Sequence, residues 1–260
     1  METSLVGKHA LVCGASQGIG RAIAREFARL GANVTLLARD EVKLRSALAE
    51  LDHAHGQQHH VLVANMADTA ALAHCLKELV TANVDILVNN TGGPPPGLAH
   101  EADPESFAEA FRLHLIGYQT LVRAVVPSMK NRGGGRIINV ISTSVKQPLP
   151  NLGVSNTVRG AVANWGKTLA NELGQYGITV NNVLPGATET ERLATIIKNK
   201  AAKSGTSETE AAHEMMSEIP LRRFARPEEI AFAVAFLAGP SGAYINGINL
   251  PVDGGRTANL

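Results

Sequence analysis

Several classes of protein are made improbable by what this sequence lacks. It has only two cysteines, Cys13 and Cys75, so we expect no disulfide framework and a reducing, cytoplasmic environment. No apolar run approaches the roughly 20 residues that span a bilayer, and the first ten residues do not have the pattern of a secretory signal. The formal net charge of +1 gives no electrostatic reason to expect nucleic acid or a membrane as a partner.

Short apolar runs alternate with longer amphipathic segments along the whole chain. The short runs are almost continuously apolar, which is typical of strands that are covered by helices on both faces. Between them, apolar residues recur at helical spacing, as from Ile19 to Leu30, and Gly31 follows as a stop signal. The pattern predicts strands at 9–13, 33–38, 60–64, 85–89, 136–141, 178–184 and 248–252.

This alternation predicts one α/β domain over residues 1–260. Strands separated by helices form βαβ crossovers, and such crossovers build a parallel sheet. We therefore expect a Rossmann-type doubly wound parallel sheet of about seven strands with helices on both faces.

Two stretches interrupt the alternation. The glycines and prolines of 92–97 predict a loop, because proline is excluded from central strands and from helix interiors. This loop either walls one side of a substrate pocket or is merely rigid. Residues 187–220 are polar and weakly periodic, so we expect helical pieces there that serve as a mobile substrate lid.

A glycine-rich turn joins the first predicted strand to the first predicted helix. Glycines leave the backbone bare for the close approach of a diphosphate, and the helix N-terminus offers free N–H groups with a partial positive charge. At the first βα turn of such a sheet, this pattern predicts a dinucleotide site. The residues expected to contact the cofactor are Gly14, Ser16, Gln17, Gly18, Ile19 and Gly20.

The end of the second predicted strand bears on the choice between NADP and NAD. An acidic residue at this point binds the ribose 2′-hydroxyl of NAD, whereas arginine suits the 2′-phosphate of NADP. The strand ends in Arg39, and Asp40 comes one residue later. We therefore favour NADP as the cofactor and keep NAD as the alternative, in which case Arg39 is a solvated charge.

Six motifs, in order and at the right spacing, identify a family resemblance over almost the whole chain. They are GASQGIG, LVNNTGG, GRIINVIS, ITVNNVLPGATET and the closing pair RPEEIAFAVAFLAG and INLPVDGG. The chain resembles the short-chain dehydrogenase/reductase family and is most similar in layout to 3-oxoacyl-acyl-carrier-protein reductases.

The resemblance implies further cofactor contacts. It assigns Asn65 and Met66 to the adenine, and assigns the ribose and the nicotinamide end to Asn90, Gly92, Arg159, Pro185, Gly186 and Thr190. For Asn90 the alternative is that its side chain forms hydrogen bonds within a turn and does not contact the cofactor.

The same resemblance exposes a departure at the catalytic positions. Family enzymes use Asn, Ser, Tyr and Lys, and only the serine is kept here, as Ser142. Ser155 stands at the tyrosine position, Arg159 at the lysine position and His114 at the asparagine position. A serine hydroxyl does not replace a phenol as a proton donor near neutral pH, and arginine does not give up its proton.

His114 is the candidate to supply the missing proton. Histidine titrates near pH 6.5, so it can donate directly or through a water molecule. On this hypothesis Ser142 and Ser155 orient the substrate carbonyl. Tyr118 is a second candidate, and the structural alternative is a His114 bonded to carbonyls at a helix kink.

Two functions remain open. The first is an NAD(P)-dependent oxidoreductase that acts on a small carbonyl or secondary alcohol, with a 3-oxoacyl thioester as one candidate. The second is a non-catalytic dinucleotide-binding sensor or partner subunit. The resemblance also implies a homodimer or homotetramer whose interface is the helix after Ser155. The alternative for the apolar stripe of this helix, which includes Trp165, is that it packs in the core of the chain.

The histidines between 53 and 60 are interpreted as part of a solvated loop rather than as a metal site, so we predict no metal.

Overall fold

The computed structural model describes residues 2–80 and 83–259. Its strands are β1 His9–Cys13, β2 Asn33–Ala38, β3 His60–Val63, β4 Ile86–Asn89, β5 Gly135–Val140, β6 Ile178–Pro185 and β7 Asn249–Val252. Its helices are α1 Gly18–Arg29, α2 Glu41–Leu48, α3 Thr69–Val80, α4 Pro104–Phe111, α5 Gly117–Asn131, α6 Gly153–Leu173, α7 Glu191–Ser204, α8 Glu208–Ser217 and α9 Pro227–Ala238.

The seven strands form one parallel sheet in the order β3-β2-β1-β4-β5-β6-β7. The prediction of a single doubly wound domain is confirmed, and the predicted strand bounds agree to within one residue. The strand order reverses between β1 and β4, which is where open α/β sheets bind their ligands at the carboxyl edge.

The core consists of two apolar layers, one on each face of the sheet. On one face α1 and α9 pack through Ile23, Phe27, Ile230 and Val234. On the other face α3, α5 and α6 contribute Leu72, Leu76, Leu121, Val125 and Val162. Because helices cover both faces of the sheet, the strands are almost continuously apolar. None of the described helices is long and apolar enough to cross a membrane.

The two interrupting stretches behave locally as the sequence predicts. Residues 92–97 form no helix, and their only pairing in the described chain is an isolated bridge between Gly97 and Leu152. The polar segment 187–220 holds α7 and α8, which enclose a small apolar cluster of their own around Leu193, Ile219 and Phe224. This cluster is distinct from the two apolar layers that cover the sheet.

Two minor expectations are also resolved by the packing. The apolar stripe of α6 is core, since Val158, Val162 and Leu169 are all buried, and the indole N–H of Trp165 donates to Gln119 Oε1 at 2.9 Å. In the histidine-rich loop His53, His55 and His60 are exposed, as in a solvated loop, and His59 Nδ1 accepts from Val34 N at 3.1 Å. Among the described residues, no group of three or more His, Cys, Asp or Glu side chains is arranged to hold a metal.

A ladder of asparagines crosses the carboxyl half of the sheet. Asn89, Asn139, Asn182 and Asn249 lie in register on β4 to β7. Each side-chain amide donates to the next side-chain carbonyl at 2.8 Å, and the first three residues are buried. The Oδ1 atom of Asn89, at the β4 end of the ladder, has no partner among the described residues. The bonds between the amides stabilise the sheet, because a buried amide group left unpaired costs about 1–3 kcal/mol.

We predict that Asn139→Ala lowers the free energy of unfolding by about 3 kcal/mol, because it leaves the buried Asn89 Nδ2 and Asn182 Oδ1 without the bonds that they make to Asn139. Urea unfolding followed by circular dichroism measures the change. Asn199→Ala, on the exposed face of α7, is the matched control and should stay within about 0.5 kcal/mol of wild type. Equal stabilities for Asn139→Ala and the control would contradict the prediction.

Candidate dinucleotide and active site

The glycine-rich turn runs from β1 into α1 at the point where the strand order reverses. Gly14 and Gly18 have positive φ values of 59° and 55°, a backbone conformation that residues with a side chain rarely adopt. Gln17 is the N-cap residue, and its side chain makes no capping hydrogen bond. The first N–H groups of α1 are therefore available to an anion.

The turn leaves no room for side chains. A Cβ at Gly14 would lie 2.7 Å from Asn90 Nδ2, and a Cβ at Gly20 would collide with the carbonyl oxygen of Gly14. Asn90 Nδ2 donates to the carbonyl of Cys13 at 3.2 Å, so the asparagine after β4 holds the turn in place. This part of the chain is a bare-backbone cradle beside a helix N-terminus.

The other residues assigned to the cofactor surround this cradle along the carboxyl edge. Thr190 is the N-cap of α7, and its Cγ2 would be 3.1 Å from a Cβ at Gly18. Met66 is buried and its carbonyl contacts α5 at Gly117, while Asn65 is exposed. Pro185 ends β6, and Gly186 packs against Asp253. Gly92 follows Asn90 in the exposed loop after β4.

Two cations lie beside the cradle on the side of β2. Arg39 directly follows β2 and is exposed. Lys43, in α2, donates to Gln17 Oε1 at 2.9 Å and lies 3.6 Å from Glu191 at the start of α7. These contacts link the glycine turn, α2 and the lid segment. Lys43 was not singled out by the sequence, although its position one turn after Arg39 is a usable signal.

The residues at the catalytic positions lie on three neighbouring elements. Ser142 follows β5 and its Oγ accepts from Ser144 N at 3.1 Å. Ser155 is buried in the first turn of α6, and Arg159 is one turn further along. Arg159 is 7% exposed and donates from Nη1 to the carbonyl of Val140 at 3.4 Å, and its Nε has no partner among the described residues.

His114 lies in a π-helical segment, Arg112–Ile116, between α4 and α5. Such segments are rare and are frequent at functional sites. The imidazole is fully buried, and neither ring nitrogen has a hydrogen-bond partner within the described structure. The alternative of a histidine bonded to helix-kink carbonyls therefore does not apply. The ring stands edge-on to Tyr118, whose hydroxyl is also buried without a partner.

Burial and two positive charges decide the protonation state of His114. Burial lowers the pKa of the imidazole to about 3, with smaller contributions from Arg159 and Arg192. The expectation that His114 titrates near pH 6.5 is wrong for this folded chain, and its ring is neutral at pH 7. Burial likewise raises the pKa of Tyr118, so this phenol is neutral too.

Arg192 is a residue of this site that the sequence analysis missed. It lies in the first turn of α7, and its Nη1 and Nη2 donate to the carbonyls of Gly93 and Pro94 at 2.9 and 3.3 Å. The segment 187–220 is thus hydrogen-bonded to the loop after β4. Nothing in the local pattern of 187–220 distinguished this arginine from the other cations there.

The fold and the cradle define a dinucleotide-binding oxidoreductase of the Rossmann class. Residues 14–257 match the family described as enoyl-(acyl carrier protein) reductase. The chain belongs to the short-chain dehydrogenase/reductase family, whose members are NAD(P)-dependent enzymes, and the predicted enzyme class is confirmed.

Individual relatives match over nearly their full length. The chain is 34% identical to a 3-oxoacyl-acyl-carrier-protein reductase of Vibrio harveyi, covering 97% of this chain and 98% of the relative. It is 32% identical to the 2,3-dihydro-2,3-dihydroxybenzoate dehydrogenase of Bacillus subtilis, covering 98% and 97%. It is similar to the crystal structure of L-sorbose reductase from Gluconobacter frateurii in complex with NADPH and L-sorbose, with a TM-score of 0.94, 32% identity and complete coverage of both chains.

We predict that His114 makes the folded protein less stable as the pH falls below about 6.5. Below about pH 6.5 an unfolded histidine takes up a proton, but the folded one does not until about pH 3. Stability from this group is complete above about pH 6.5 and is lost as the pH falls, by roughly 2 kcal/mol at pH 5.

Urea unfolding of wild type and His114→Asn at about pH 8 and about pH 5 measures this linkage. The difference in unfolding free energy between the two proteins should change by roughly 2 kcal/mol between the two pH values. His74→Asn, an exposed histidine of α3, is the matched control. An identical pH dependence of wild type and His114→Asn would contradict the assignment.

Proposed function

We propose that this chain reduces a carbonyl compound with NADPH, or oxidises the corresponding alcohol, without the tyrosine and lysine that its family uses. The observation that carries this proposal is the buried polar group of His114, Tyr118 and Arg159. Each has at least one polar atom without a partner in the described chain. Such atoms cost about 1–3 kcal/mol each unless a ligand or water completes them, so their retention fits a working site.

The residues of the glycine turn fit a dinucleotide cofactor. Their bare backbone and the free N–H groups of α1 suit the diphosphate, and the assigned contacts are Gly14, Ser16, Gln17, Gly18, Ile19 and Gly20. Arg39 and Lys43 suit a 2′-phosphate, which favours NADP over NAD. The NADPH complex of the similar L-sorbose reductase supports the same choice. When bound, the cofactor supplies the hydride.

The remaining contacts follow the carboxyl edge of the sheet. Asn65 and Met66 are assigned to the adenine, and Asn90, Gly92, Pro185, Gly186 and Thr190 to the ribose and the nicotinamide end. Arg159 replaces lysine beside the ribose, where its charge and fixed donors hold a hydroxyl without releasing a proton.

We assign the proton transfer to a neutral His114 rather than to an imidazolium. A neutral imidazole donates from one ring nitrogen while the other accepts from water, so it relays a proton without becoming charged between steps. Ser142 and Ser155 then hydrogen-bond the substrate oxygen. The Tyr118 ring is edge-on to His114, with the ring centroids 6.2 Å apart. Its hydroxyl is the second candidate to pass the proton.

Segment 187–220 is proposed as the substrate lid. Its own apolar cluster and its contacts with Lys43, Gly93 and Pro94 support closure as a unit over the cofactor. A 3-oxoacyl thioester is one candidate substrate, because a relative of that activity is 34% identical.

We also propose that the chain forms a homodimer or homotetramer, on the strength of the family resemblance. The inner stripe of α6 is buried in the chain's own core, so the interface must use other faces. Light scattering at micromolar concentration tests this, and a monomer would overturn it.

A non-catalytic sensor or partner subunit remains the second candidate. One observation favours it. Because burial lowers the pKa of His114 to about 3, this histidine is not a protonated imidazolium that could donate its proton near neutral pH. The two candidates share the cofactor and differ in turnover.

The first prediction concerns the cofactor. Arg39→Ala should raise the dissociation constant for NADPH by tenfold or more, because a guanidinium–phosphate pair is lost, and should leave that for NADH unchanged. Fluorescence titration measures both, with Arg25→Ala, exposed on α1, as the matched control. An unchanged NADPH affinity would exclude the assignment of Arg39.

The second prediction concerns turnover. Wild type should oxidise NADPH with at least one member of a panel of acetoacetyl thioesters, ketoses, oxo acids, oxo esters and diketones. His114→Ala should bind NADPH as wild type does and lower kcat by about 100-fold or more. His74→Ala is the control. Tight NADPH binding with no turnover on any compound would favour the sensor, and an equally fast His114→Ala would exclude the relay.

A further inference from the structure

Two arginines that come from different elements meet beside one glycine. A Cβ at Gly93 would lie 2.9 Å from Arg192 Nη2 and 3.1 Å from Arg159 Nη2. Arg159 reaches this point from the buried first turns of α6, and Arg192 reaches it from the start of the lid. Two guanidinium groups are therefore gathered at the same spot in the loop after β4.

Neither arginine has a carboxylate partner in the described part of the chain. Arg192 donates to the carbonyls of Gly93 and Pro94, and Arg159 only to that of Val140. Burial lowers the pKa of Arg159, and the neighbouring charge of Arg192 lowers it further. Arg159 is buried, whereas Arg192 is exposed. Neighbouring like charges repel, and the buried charge of Arg159 is costly without a counter-ion, so an anion bound between the two guanidinium groups would stabilise the pair.

The position of the pair favours the substrate over the cofactor as the source of that anion. The diphosphate is assigned to the turn at Gly14–Gly20, where helix N–H groups already balance its charge. The ribose next to Arg159 is neutral. Gly93 and Pro94 follow β4 at the carboxyl edge of the sheet, where we propose that the loop 92–97 walls the substrate pocket, and His114 is close enough for both arginines to lower its pKa.

We infer that Arg159 and Arg192 form a carboxylate-binding pair and that the substrate is an oxo acid, or the hydroxy acid in the reverse direction. This inference rests on the proposed function and names its substrate class. The carboxylate replaces backbone carbonyls as the acceptor, which gives charge-assisted hydrogen bonds with the planar fork of arginine.

The reaction balances without any further reactant. The carbonyl carbon of the oxo acid gains a hydride from the reduced nicotinamide, and its oxygen gains a proton that His114 passes on from solvent water. The products are the hydroxy acid and the oxidised cofactor, and the net proton consumed comes from the solvent. Since Arg192 begins α7, the carboxylate also holds the lid closed over the reacting carbonyl.

The experiment compares acids with their methyl esters, which keep the shape and lose the charge. The probes are pyruvate, acetoacetate and phenylpyruvate, each beside its ester. NADPH affinity is measured first by fluorescence. Binding of each probe to the protein–NADP complex is then measured by calorimetry, so the result does not depend on turnover.

We expect at least one acid to bind tenfold or more tightly than its ester. Arg192→Gln should abolish this preference and keep the NADPH affinity, whereas Arg192→Lys should retain part of it because the charge remains. Arg123→Gln, which removes an exposed arginine of α5, is the matched control and should keep the preference. A role for Arg192 only in holding the loop would weaken acid and ester equally.

Four results would overturn the inference. They are acids that bind no better than their esters, a preference that survives Arg192→Gln, acid and ester weakened equally by that change, and an Arg192→Gln variant that loses NADPH affinity instead, which would assign the arginine to the diphosphate. With normal NADPH binding, these results leave the proposed function standing. Absence of NADPH binding to wild type would overturn both.

Discussion

The site depends on the close packing of backbone at the turn between β1 and α1. Gly14 and Gly20 touch with no space for a Cβ, and Asn90 bonds the end of β1 across the switch point. This contact joins β1, α1 and the loop after β4 into one rigid edge. Because Gly93 comes three residues after Asn90 in the chain, the position of the proposed substrate wall follows from the same packing.

Positive charge is concentrated at this edge although the whole chain is nearly neutral. Arg159 is buried beside Gly93, Arg192 reaches the same glycine from the exposed start of α7, and Arg39 and Lys43 flank the outer end of the turn. A buried cation such as Arg159 is costly when no anion is near, so a protein keeps it where a ligand completes the charge. The proposed cofactor 2′-phosphate would neutralise Arg39 and Lys43, and the proposed substrate carboxylate would neutralise Arg159 and Arg192.

The proton relay follows from the same electrostatics. A histidine beside two arginines and out of water stays neutral, so its role changes from an acid of ordinary pKa to a group that passes a proton between its two nitrogens. The π-helical segment brings this ring inward at a place where a regular helix would turn it by a different angle. The backbone geometry thus places the His114 ring inside the site, and its burial beside the two arginines keeps the ring neutral.

The sequence by itself determined the sheet, the order of its elements and the cofactor turn. Continuous apolar runs and the glycine spacing are local signals, and they predicted strand bounds to within one residue. It also predicted that Ser142, Ser155, Arg159 and His114 form one site. Only the tertiary structure decided the protonation of His114, the asparagine ladder and the meeting of Arg192 with Arg159. These depend on burial and on distances between residues far apart in the chain, which no local pattern encodes.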